Sequence, residues 1–138
     1  MKKTIKVVAL AMVALMLMLA LVSCGAKPNS DPAAAEEALK AAGYSVSKDA
    51  NGANGPEGCS TILNASKIDG ESLEDATMEF VTIYYFKDEA SADSAYADIE
   101  KDYNKAKDSE RYKDMDLDIG KSGKMIYCGT VAAIKAAS

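Results

Sequence analysis

The stretch Met78 to Phe86 constrains the fold more than any other part of the chain. In an extended backbone, successive side chains point to opposite faces. Phe80, Tyr84 and Phe86 then occupy one face, and Val81, Ile83 and Tyr85 the other. A strand apolar on both sides belongs in the middle of a sheet.

The segments around it supply the rest of the architecture. Asp31-Pro32 opens a helix, with Asp31 as cap and Pro32 at the first helical position. Ala35, Ala38, Leu39 and Ala42 keep helical spacing up to Gly43, which offers a left-handed stop. Short strands are expected at Tyr44–Ser47 and Cys59–Ala65, the second with uncertain facing because Ile62 and Leu63 are adjacent. The main helix begins at Asp88 or Ser91 and runs to about Lys107, its inner stripe being Ala92, Ala95, Tyr96, Ile99, Tyr103 and Ala106. Met115, Leu117 and Ile119 alternate with Asp114, Asp116 and Asp118 as a half-buried strand. Lys124–Cys128 forms a last strand, and Thr130 caps a closing helix. The order αβββαββα predicts an α+β fold. It is expected as a two-layer sandwich, a mainly antiparallel sheet of four to five strands with helices on one face. A connection from Met78–Phe86 through the long helix is expected to be right-handed if the next strand runs parallel to the first.

Ahead of this domain, Lys2, Lys3 and Lys6 precede an uninterrupted apolar run from Val7 to Val22, closed by Ser23 and Cys24. That is the three-part pattern of an export signal. A transmembrane helix normally needs about 20 apolar residues, and this run gives way to the polar exit Gly25-Ala26-Lys27-Pro28. Leu21-Val22-Ser23-Cys24 resembles the lipobox of bacterial lipoproteins. The resemblance implies a diacylglycerol on Cys24, cleavage by signal peptidase II between Ser23 and Cys24, and an extracytoplasmic address on the cell membrane. Two acyl chains hold stably where one holds only marginally. Gly25 rather than Asp follows the cysteine, so the inner-membrane retention signal of some Gram-negative lipoproteins is absent. The expected organisation is a signal peptide over 1–23, a flexible tether over 24–30 and one domain over 31–138. In outline the domain also resembles small uncharacterised lipoproteins of Gram-positive bacteria.

Composition narrows the functional classes. Without residues 1–23 the chain keeps 13 basic residues against 21 acidic, a charge of about −8. Nucleic acid and other polyanions are repelled, which leaves attachment to the lipid. The chain has no His and no Trp, which removes Ser-His-Asp and Cys-His catalysis and most zinc sites. With Cys24 acylated, Cys59 and Cys128 remain as an even pair in a compartment where disulfides persist. A bridge would close a loop of about 70 residues and contribute about 4 kcal/mol; the alternative is two buried thiols.

Several segments invite a chemical reading. In the loop Asp49–Gly58, Ser47, Asp49 and Asn51 fall at calcium-ligand spacing about Gly52, but Gly58 stands where a bidentate Glu should close the site and Glu57 is one residue off. Asp114, Asp116 and Asp118, with Glu110 nearby, suit an exposed edge strand whose charges discourage pairing; the other reading is a divalent-cation site. Gly120–Lys124 lacks the spacing of a phosphate loop and leads into a strand. Tyr96 and Tyr103 belong to the helix stripe, whereas Tyr85 and Tyr127 are the candidate ligand or partner surface on an open sheet face.

No catalytic residue, metal ligand or cofactor emerges. The expected function is a non-catalytic, lipid-anchored binding or interaction module of the cell envelope. Its partners would be the membrane, through Cys24, and an envelope protein or small ligand. The alternatives are a small carboxylate-dependent hydrolase or a calcium-responsive domain.

Overall fold

The structure is a computed structural model and describes residues 26–72 and 74–138. Ser23 and Cys24, and with them the expected leader and expected acylation site, lie outside the described residues. Among the described residues three helices, α1 (Pro32–Ala41), α2 (Glu89–Lys107) and α3 (Val131–Ala136), accompany five strands. The strands are β1 (Ser45–Asp49), β2 (Cys59–Asp69), β3 (Thr77–Phe86), β4 (Leu117–Ser122) and β5 (Met125–Thr130). The chain is thus α+β in the expected order. The sheet runs β1-β2-β3-β5-β4 with every neighbouring pair antiparallel, and β3 is central as its two apolar faces require. Because β5 pairs antiparallel with both, β3 and β4 run parallel on either side of it, joined through α2.

Local chemistry sets the element ends. The Asp31 carboxylate accepts from Ala33 N–H at 3.2 Å and the Asp88 carboxylate from Ser91 N–H at 2.7 Å, capping α1 and α2. Ser122 pairs with Met125, so β4 and β5 join through the two residues Gly123 and Lys124. Gly123 takes φ 58° while among the described residues no non-glycine residue has positive φ, the glycine-first pattern of a II′ hairpin. β4 starts at Leu117, which leaves Met115 in the preceding turn. Thr130 sits at the cap position of α3 but makes no side-chain cap bond.

The helices do not share one face, and here the structure corrects the two-layer expectation. Ala35 and Leu39 of α1 and Ala133 and Ile134 of α3 pack on Leu63, Val81, Ile83, Tyr85 and Met125. On the reverse side Ala92 and Ala95 of α2 pack on Ile62, Phe86 and Ile126. The result is helix, sheet, helix. It also explains the ambiguous β2: a bulge between Cys59 and Thr61 keeps Cys59 and Ile62 on the α2 side, while Leu63 faces α1. Full burial of Leu39, Leu63, Ile83, Ile126 and Ile134 contributes about 1.5–3 kcal/mol for each side chain.

The segment before α1 is part of this packing. Pro28 is less than 2 % exposed. Asn29 N–H donates to Ala137 O at 2.8 Å, and Tyr85 O–H donates to Asn29 O at 2.8 Å. The flexible tether expected over 24–30 therefore does not extend past Lys27, because Pro28 and Asn29 are held by apolar contact and by two hydrogen bonds.

Candidate functional site

The helical stripe of α2 outruns the core it covers. Ala92 and Ala95 are buried, but the next turns bring Ile99, Tyr103 and Ala106 over a part of the sheet where the strands do not fill the space beneath. There β3 contributes Phe80 and Tyr84, β5 contributes Cys128 and Gly129, and β4 contributes Leu117. Tyr112, in the turn after α2, closes one side with its ring 5.5 Å from that of Phe80 at 54°. The enclosed cleft is about 240 Å³ and mostly apolar, with Asp102 and Lys107 at its rim.

Gly129 shapes the floor. Its φ is 155°, and a Cβ there would strike the backbone of Phe80 and Val81, so β5 approaches β3 as only a glycine allows. Burial pushes the Cys128 thiol up to about 11. It also raises the Tyr84 hydroxyl and the Tyr103 hydroxyl, the latter helped by the charge of Asp118. These groups are neutral at pH 7. The cleft offers rings, a thiol and hydroxyls to a ligand, and these groups supply no base or thiolate at that pH.

The residues singled out from sequence fall in different places. Tyr85 is 5 % exposed and lies in the core beside α1 and α3; its hydroxyl holds Asn29. Tyr127 is half-buried against the same cluster, its ring lying over Gly120. Neither forms an open surface, because the face expected to be bare is covered by α1 and α3.

The sheet face that is open lies on the α2 side of β1 and β2, where Ser45, Ser47, Asn64 and Ser66 are exposed. The Thr82 hydroxyl there donates to Asn64 Oδ1 at 2.9 Å. Phe80 borders both this polar strip and the aromatic cleft. Alternation carries the signal for the strip only in part: Ser45 and Ser47 make one face of β1 polar, whereas the same face of β2 carries Ile62 and Ile68 beside Asn64 and Ser66.

Cys59 and Cys128 are free thiols. Both lie on the α2 side, but Cys59 pairs with Phe86 and Cys128 with Thr82. Strand β3 and four of its residues separate them, about 13 Å along the sheet and about 10 Å across it. A bridge needs Cα atoms within about 7 Å, so of the two alternatives the disulfide does not form within this fold and the two free thiols stand.

The Asp49 carboxylate is committed to its own loop. It accepts from Asn51 N–H at 3.1 Å, Asn54 N–H at 3.2 Å and Asn54 Nδ2 at 3.1 Å, contacts that hold its pKa below the ordinary value. Of the acidic trio only Asp118 lies in a strand, β4, which is the sheet edge; Asp114 and Asp116 precede it. Glu110 instead pairs with Lys113 at 2.6 Å. Among the described residues no three His, Cys, Asp or Glu side chains converge as a metal site. Among them, too, no helix is long and apolar enough to cross a membrane. Compared with known proteins, the chain matches no family model, no curated protein and no solved structure.

Proposed function

We propose that this chain is a lipid-anchored, extracytoplasmic, non-catalytic binding module whose site is the cleft under the C-terminal half of α2. The observation that carries the reading is the cleft itself, about 240 Å³ bounded by Phe80, Tyr84, Tyr103 and Tyr112. Concave, mostly apolar sites with a few polar groups are the usual form of small-molecule pockets. The fitting ligand has an aromatic or branched aliphatic body and a neutral or cationic head. Aromatic faces attract cations, and the acidic excess of the domain disfavours anions. The lipobox-like Leu21-Val22-Ser23-Cys24 supports the anchor.

The neutral fluorophore N-phenyl-1-naphthylamine tests the cleft. Its emission is expected to rise with the wild-type domain and to fall back in Ala106→Phe, where a ring occupies the space and the melting temperature stays near wild type. Equal enhancement in both proteins, or none in wild type, refutes the assignment.

A further inference from the structure

We infer that the end of the domain bearing Pro28 and the β4–β5 turn rests against the bilayer, with the β2–β3 turn held farthest from it. This orientation rests on acylation at Cys24 and deepens that reading by naming the surface that meets lipid.

The leash is short. Ordered packing begins at Pro28, which is buried beside Ser122, Met125 and Ser138. Lys27 Nζ already reaches Ser122 Oγ at 3.3 Å. Four peptide steps separate Cys24 from Pro28, at most roughly 14 Å of extended chain. A domain of this length is about 30 Å across. A leash shorter than half that width cannot carry the opposite end of the domain to the membrane.

The antiparallel register fixes which elements share the leash end. β1 finishes and β2 begins there, with the Asp49–Gly58 loop between them; β3 finishes there, α2 starts there, and β4 turns into β5 there. The other end holds the β2–β3 turn and the connection from α2 to β4.

Charge does not separate the two ends: Lys67, Lys105, Lys107, Arg111 and Lys113 offset most of the acidic residues of the β2–β3 turn and the α2–β4 connection, and at the leash end Asp31, Asp49, Glu57, Asp88 and Glu89 outnumber Lys27, Lys87 and Lys124. The leash alone selects the orientation. It also sets the aromatic cleft, with Leu117 and Tyr112, toward the aqueous side, since Leu117 lies five residues up β4 from Ser122, roughly 17 Å.

The chain has no tryptophan, so a single introduced indole is a clean reporter. The full lipidated chain, as Lys124→Trp or as Glu74→Trp, is bound to phosphatidylcholine–phosphatidylglycerol vesicles carrying a nitroxide-headgroup lipid. Quenching at position 124 is expected to exceed that at 74 several-fold. Flotation with the vesicles but equal quenching at both sites, or stronger quenching at 74, overturns the orientation alone. Failure of the chain to float, with no acyl mass on its N-terminal peptide, overturns the orientation and the anchor together.

Discussion

The hydroxyl of Thr130 accepts from Phe80 N–H at 3.1 Å and donates to Phe80 O at 3.2 Å. Those two backbone groups lie one residue beyond Val81–Gly129, where the β3–β5 pairing ends. A side chain thus continues the ladder as the main chain turns away into α3, and this is why Thr130 is not free to cap that helix. Thr130→Val keeps the shape and strands both Phe80 groups at a buried site, for an expected loss of about 2 kcal/mol. Thr130→Ser keeps most of the stability, and urea denaturation of the three proteins separates the cases. Asp88 makes the matching argument for pH. The Ser91 N–H holds its carboxyl below the ordinary value, so the cap contributes fully above about pH 4, the unfolded value. The contribution fades as pH falls through the lower folded value. Asp88→Ala should therefore melt below wild type at pH 7, with the gap narrowing toward pH 2 in thermal scans.

Whether a strand's faces are both covered depends on neighbours that its own residues do not name. Phe80, Tyr84 and Phe86 opposite Val81, Ile83 and Tyr85 did signal two covered faces, and β3 is central, as that pattern demands. The position of β3, the caps of α1 and α2 and the edge placement of β4 were legible because each depends on a few adjacent residues. The division of helices was not. It depends on the sheet order β1-β2-β3-β5-β4, in which β5 inserts between β3 and β4 and carries α3 to the α1 face. Tyr85 lies in the core for the same reason, and Tyr84 and Tyr103 alone do not reveal the aromatic cleft, since it needs α2 registered on that order. The cysteines follow suit: pairing in sequence was even, but β3 stands between them. The domain should accordingly show two alkylatable thiols after denaturation without reductant, and its melting temperature should not change on adding reductant. A mass loss of two hydrogens with reductant-sensitive melting would contradict the register.

At the scale of the whole molecule, the segment before α1 closes the fold by joining the two ends of the described chain. Asn29 bonds Ala137 just after α3 and accepts from Tyr85 in the central strand, while Pro28 fills the gap between them. Burying Pro28 contributes about 1.5 kcal/mol and the two hydrogen bonds about 1 kcal/mol each. Ordering the segment costs about 1 kcal/mol per residue fixed. A chain beginning at Asp31 should therefore be less stable than one beginning at Ala26 by about 1–2 kcal/mol, burial and bonds together outweighing the ordering of Asn29 and Ser30 because Pro28 is already stiff. Tyr85→Phe isolates the cause. In the longer chain it removes the partner of the Asn29 carbonyl and should cost about 1 kcal/mol. In the shorter chain the Tyr85 hydroxyl has already lost that acceptor, so the same change should be neutral or slightly stabilising. The non-additivity of the cycle measures how firmly the segment is docked. Additive losses would mean that residues 28–30 hang free, and an anchor at Cys24 would then leave the domain free to turn over the membrane.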